Sequence, residues 1–195
     1  MEYIRHIPVE AWNLVEQDSQ LEDSLKNLEL SKISLIKSLR QFRNWEDLSM
    51  ETPKINNKSN IEVQDNEDYV KIIIPGILPY VQLNHKLKDK NYYRQLNMFY
   101  VGEITRKIAE QDICKEFKQA FVLIKQFFPD LKIRDFDNQF KSFIFNALRY
   151  SRLIPDDSWE NLTYMECGEL DRITPRTEIT ITNLHKLGDF FSVFD

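Results

Sequence analysis

Apolar side chains recur along this chain in two different rhythms. In the first third, Leu14, Leu21, Leu28, Leu35 and Phe42 stand seven residues apart, with Leu25 and Leu39 four residues after two of them. This is the spacing of one helical stripe. The other interleaved places hold Asp18 and Lys32. Pro8 suits a helix start, and no Pro or Gly follows it until Pro53, so one long helix and two helices turning near Glu29 to Ser31 both fit. Leu30, Ile33 and Ile36 widen the stripe. Two roles stand open for it, a dimerisation coiled coil and a helical hairpin packed on the rest of the chain.

The segment from Glu51 to Asn60 is polar, carries Pro53 and has no apolar period, which reads as a linker. The chain is thus expected to divide into a helical segment with its linker, residues 1–60, and a second domain, residues 61–195. Beyond the linker the rhythm changes. Tyr69-Val-Lys-Ile-Ile-Ile74 predicts a β-branched strand that Pro75-Gly76 ends. Leu96 to Glu110 has helical spacing through Met98, Val101, Ile104 and Ile108. Phe117 to Phe128, with the run Phe121-Val-Leu-Ile124, favours a strand by its β-branched and aromatic content. Asn138 to Tyr150 reads as an amphipathic helix with Phe140, Ile144, Phe145 and Leu148 inward, and strands follow at Trp159 to Glu166 and Thr177 to Leu184. The expected class is α+β, a two-layer domain with about four strands and two helices.

Composition narrows the chemistry. The 195 residues include only 4 Gly, far apart, so glycine-rich nucleotide-binding loops have no raw material. No apolar run reaches the roughly 20 residues that span a bilayer, and the first residues lack the apolar core of a secretion signal. A soluble, cytoplasmic protein is expected. Cys114 and Cys167 lack metal-ligand spacing, and His6, His85 and His185 form no pattern for metal or nucleophilic catalysis. The net charge of −5 is unevenly spread: residues 1–68 hold 8 basic and 14 acidic side chains, and the rest hold 18 and 17.

The densest chemical signal is Ile133-Arg-Asp-Phe-Asp-Asn-Gln-Phe-Lys141, followed after one helix by Ile154-Pro-Asp-Asp-Ser158. Asp135 and Asp137 share a face in an extended segment, and Asp156 and Asp157 arrive after the helix has run. Carboxylates converging at one end of that helix would make a hard, all-oxygen pocket suited to Mg²⁺, which would offset their mutual repulsion. Lys141, one turn into the helix, would reach the same pocket and stabilise charge on phosphoryl oxygens. The chemistry this suits is phosphodiester hydrolysis. Each piece also has a plainer reading: Asp137 or Asn138 as a helix cap, Asp156-Asp157-Ser158 as a polar turn, Lys141 as an i, i+4 partner of Asp137.

The order D-x-D-N-x-x-K, then Ala147-Leu148, then Asp156-Asp157-Ser158 resembles the RusA family of Holliday junction resolvases. The likeness spans roughly residues 69–184 and includes a closing strand of E-I-T-I-T type at Glu178 to Thr182. The helical front resembles that of an uncharacterised family in mobile elements of Gram-positive bacteria. The RusA resemblance implies a homodimeric, Mg²⁺-dependent endonuclease, with Mn²⁺ as a substitute, that cuts branched DNA in recombination or repair. It implies Asp135, Asp137 and Asp157 as metal-binding catalytic aspartates, with Asp156 as an alternative ligand, and Lys141 as the catalytic lysine. A catalytically inactive DNA-binding or protein-interaction module is the alternative.

DNA also needs cations. Without the four aspartates the chain from Tyr69 onward carries +5. Lys86, Lys88, Lys90 and Arg94 cluster after the first strand, interleaved with Tyr92 and Tyr93, and Lys132 and Arg134 precede the aspartates. They are the candidate phosphate contacts, with the tyrosines stacking on exposed bases. A solvated lysine-rich loop is the plain alternative.

Overall fold

In a computed structural model of the chain, residues 20, 23–24, 26–38, 61–79, 90–132 and 134–188 are described. The chain divides into two units, Met1–Asn57 and Lys58–Asp195.

In the first unit residues 26–38 form one continuous helix, α1, so no turn falls at Glu29 to Ser31. The heptad leucines Leu28 and Leu35 are exposed at 68% and 61%, whereas Ile33 is buried and Leu30 and Ile36 are half-buried. The face that turns inward is therefore the set that widened the stripe. Leu14, Leu21, Leu25, Leu39 and Phe42 lie outside the described residues, as do residues 189–195.

The second unit is α+β, with five strands rather than four: β1 (Glu62–Asp65), β2 (Tyr69–Pro75), β3 (Ala120–Phe128), β4 (Leu162–Leu170) and β5 (Arg176–Asn183). They form one sheet in the order β1-β2-β5-β3-β4, and every neighbouring pair is antiparallel except β3 and β4, which run parallel. Two longer helices accompany them, α2 (Lys90–Glu110) and α3 (Ser142–Tyr150).

Register explains the core. In an aligned sheet, paired residues share a face. The pairing sets Val63, Ile72, Ile179, Ile124 and Glu166 in one row across all five strands, with Val70, Ile181, Val122 and Tyr164 in the next. The aliphatic members of these rows are buried. A third row, Ile74-Thr177-Gln126-Gly168, carries the buried polar residue Gln126. Its Oε1 accepts a hydrogen bond from the Leu78 amide at 3.1 Å, and its Nε2 donates to Gln139 Oε1. Gly168 ends that row because a Cβ there would meet the Phe128 ring at 2.6 Å.

α3 covers this face over β3 and β4, and α2 packs on α3, with Tyr100 stacked on Phe143 at 4.6 Å. α2 begins six residues before the expected Leu96. Its inward residues are Tyr92, Leu96, Phe99, Tyr100, Glu103, Ile104 and Ile108, while Met98, expected inward, is exposed. α3 begins at Ser142 rather than the expected Asn138; on it Phe143, Ile144, Ala147 and Leu148 are buried and Phe145 is half-buried against Tyr164, while Phe140, before the helix, is half-buried against Tyr93.

A candidate acid and lysine site beside the edge strand

The parallel pairing of β3 and β4 decides where each candidate residue lies. A parallel partner needs a crossover, so the chain leaves β3 at Phe128 and must return to the opposite end of the sheet before β4 begins at Leu162. Phe136 touches the end of this path, its ring 6.4 Å from that of Phe128. Gln139 then meets Gln126, Lys141 meets Glu166, and Phe145 meets Tyr164, each step lower along the strands. Arg149, in the last turn of α3, reaches Asp156 at 3.9 Å and Asp157 at 3.7 Å.

Asp135 and Asp137 therefore sit at one end of α3, and Asp156 and Asp157 at the other. The helical rise from Lys141 to Arg149 and the strand rise from Glu166 to Gly168 place the two pairs about 20 Å apart along the sheet. The convergence at one helix end does not occur within one copy of the chain. Among the described residues no three His, Cys, Asp or Glu side chains are grouped to hold a metal ion. At opposite ends of α3 the two aspartate pairs are not placed to hold one Mg²⁺ ion together.

Locally the motif is a 3₁₀ turn, Phe136–Asn138, preceded by Asp135 in extended backbone. Both aspartates are exposed. Asp135 accepts a hydrogen bond from Asn138 Nδ2 at 3.4 Å, and Asp137 makes no hydrogen bond or ion pair among the described residues. Neither Asp137 nor Asn138 caps α3. Lys141 occupies that position, just before the helix rather than one turn inside it, and its side chain offers no capping bond.

The Lys141 ammonium is committed elsewhere. It pairs with Glu166 Oε1, and the two side chains are 17% and 8% exposed. It also lies 5.9 Å from the centre of the Tyr164 ring. Glu166 Oε2 is buried and has no hydrogen-bond partner, and the same holds for Gln139 Nε2. Glu166 is a residue of this candidate site that sequence reasoning missed. It ends the row Val63-Ile72-Ile179-Ile124, where an acid requires a counter-charge, and only the parallel register identifies that place.

The candidate phosphate contacts divide. Lys86 and Lys88 lie outside the described residues. Lys90 opens α2 and Arg94 lies on it, exposed, so these two are helical rather than in a loop. Tyr92 is 3% exposed, so its ring is withdrawn from base stacking, whereas Tyr93 is half-buried and packs on Phe140 at 5.0 Å. Lys132 is exposed. Arg134 grips Asp130 with two nitrogens at 2.6 and 2.9 Å and lies over the Phe128 ring. The hydrogen bonds from Arg134 and from the Lys132 amide hold the Asp130 carboxyl down at about 2.

The outer face of the sheet is tied by ion pairs: Lys71 with Glu178, Lys125 with Glu169, and Arg176 with Asp171 and Glu178. Burial pushes the Glu178 carboxyl up, but hydrogen bonds from Arg176 and Lys71 outweigh it and leave the pKa lowered. Burial raises the Cys167 thiol. No described helix is long and apolar enough to cross a membrane.

The chain matches no protein-family model and no curated protein. Among solved structures it is similar to crystal structures of the periplasmic domain of Helicobacter pylori MotB. Residues 90–256 of that protein align at 12% identity over 75% of this chain and 94% of that one, with a TM-score of 0.36. Residues 78–256 align at 13% identity over 73% and 95%, with the same TM-score. A likeness at this level carries no argument about fold or function.

Proposed function

We propose that the second unit is a RusA-like, structure-specific DNA endonuclease that hydrolyses phosphodiesters in four-way junctions or related branched DNA. The observation that carries this reading is the exposed turn Asp135-Phe-Asp137-Asn138, with Lys141 at the entrance of α3 and fixed there by Glu166. Two solvent-facing carboxylates and an ammonium held by a largely buried acid are a suitable group for binding and orienting a phosphodiester and its attacking water. Exposed Lys132 and the +5 balance that remains without the four aspartates supply attraction for the DNA backbone. The Mg²⁺ requirement implied by the resemblance belongs to this reading, although one copy does not assemble its ligands.

A second reading, an inactive DNA-binding or protein-interaction module, is favoured by one observation. Arg149 sits on Asp156 and Asp157, so half of the candidate acids already have a counter-charge.

Cleavage of a labelled synthetic four-way junction in Mg²⁺ separates the two, with a linear duplex as control. Symmetric nicks that vanish in Asp137→Asn are expected. Salt-sensitive junction binding with no cutting in Mg²⁺ or Mn²⁺ would sink the nuclease reading and leave the binding module.

A further inference from the structure

α1 is apolar on two sides. At 3.6 residues per turn, Leu28 and Leu35 stand about 140° and about 160° around the helix from Ile33. Ile33 is 2% exposed, whereas Leu28 and Leu35 are exposed at 68% and 61%. The chain itself thus covers one side of the helix, and the side that carries the seven-residue repeat faces solvent. Three helical serines, Ser24, Ser31 and Ser38, flank the two leucines there, all exposed. The Ser24 and Ser31 hydroxyls donate back to the carbonyls of Gln20 and Asn27 at 2.8 and 2.7 Å, so they ask nothing of a partner and leave room for a close approach. An apolar residue at every seventh place lets one helix lie along another over several turns, whereas a globular core takes a wider stripe.

Charge says which helix fits. From Leu14 to Glu29 the repeat holds Glu16, Asp18, Glu22, Asp23 and Glu29 against Lys26, a balance of −4. From Leu30 to Arg43 it holds Lys32, Lys37, Arg40 and Arg43 with no acid, a balance of +4. The two stretches are opposite in sign, equal in size, and meet in the middle of the repeat. A second copy lying parallel would set acid on acid and base on base. One lying antiparallel sets each acidic stretch along a basic one, twice over.

We infer that the α1 helices of two copies of this chain pair antiparallel through the side that carries Leu28 and Leu35, about a two-fold axis that crosses the helix next to Leu30 and Ser31. In that pairing Leu28 of each copy lies beside Lys32 of the other. The aliphatic stem of Lys32 covers the leucine while its ammonium reaches the acidic stretch. Ser24 of one copy stands across from Ser38 of the other. A lysine at a core place of the repeat lowers the stability of the pair and fixes its alignment. One helix thereby fills two roles, packed within its chain through Ile33 and against a second copy through Leu28 and Leu35. The pairing does not rest on the nuclease reading.

Cross-linking of the full chain tests it. Two versions, both with Cys114→Ser and Cys167→Ser, carry Ser24→Cys in one and Ser38→Cys in the other, and are co-expressed and treated with a short bismaleimide. A cross-link from position 24 of one chain to position 38 of the other is expected as the main product. Products chiefly of the 24–24 and 38–38 kinds would mean a parallel pair and overturn the proposal, as would the absence of any cross-linked pair. Leu28→Asp in both chains is expected to remove the 24–38 product with circular dichroism unchanged, since that site is exposed. A product that survives Leu28→Asp overturns the leucine seam. Sedimentation of the wild type gives a second reading: self-association is expected, and a monomer overturns the pairing. None of these outcomes bears on junction cleavage, which stands or falls by its own assay.

Discussion

Lys141 and Glu166, 25 residues apart, form an ion pair between the entrance of α3 and the middle of the edge strand. Its acid ends the most apolar row of the sheet, so the pair fixes the helix entrance to β4 through a charge that cannot be left alone. Lys141→Met is expected to cost about 3 kcal/mol by leaving Glu166 buried and unpaired. The double variant Lys141→Met with Glu166→Leu should recover most of that loss. Urea unfolding of the four chains in the cycle measures it, and additive losses would show that the two residues do not couple.

Gln126 joins the Leu78 amide to Gln139 inside the core. Gln126→Leu keeps the volume but strands the amide and the Gln139 carbonyl. The expected loss is about 2 kcal/mol in chemical denaturation. An unchanged midpoint would mean that the segment around Leu78 repairs its hydrogen bonds by moving.

Parts of this fold were legible in the sequence because their period was unmixed. β2 announces itself through a continuous β-branched run ended by Pro75-Gly76, β5 through Ile179 and Ile181 alternating with threonines, and α3 through Ile144, Ala147 and Leu148. β1 was not, since four residues with acids at both ends look like linker, and they become a strand only by pairing with β2. α2 misled in its facing because it is wet and apolar by turns: Met98 faces solvent while Glu103 is buried beside Arg106. The candidate site was legible as a set of residues and not as a place. Spacing shows that Asp156 follows a helix, but whether that helix folds back or crosses over depends on the parallel register of β3 and β4, a pairing of residues 42 apart.

Asp130 gives a pH prediction with a definite sign. Its folded pKa of about 2 lies below the ordinary 3.8, so its bond to Arg134 favours the fold above pH 4 and is lost as pH falls from there through 2. Carboxyl NMR titration is expected to give a midpoint near 2 in the wild type and a rise toward 3.8 in Arg134→Ala. Because Asp130 is exposed, the effect belongs to the turn before the aspartates and not to global stability.

The same pairing separates two cations that look alike in the sequence. Lys132→Ala is expected to lower the slope of log affinity against log salt by about 1 for junction DNA. Arg134→Ala should lower it by less, since its charge is already shared with Asp130. Equal reductions in titrations at several salt concentrations would show that DNA displaces Asp130.

Of the five described strands, the one synthesised last lies at the centre of the sheet. β5 is inserted between β2 and β3, and without it the β1–β2 hairpin and the β3–α3–β4 crossover have no sheet contact with one another. During translation both pieces must wait, with β2 and β3 each presenting an open and strongly apolar flank, until residue 183 has left the ribosome. A chain that stalls or is cut before Arg176 would then carry two adhesive edges rather than a smaller version of the domain.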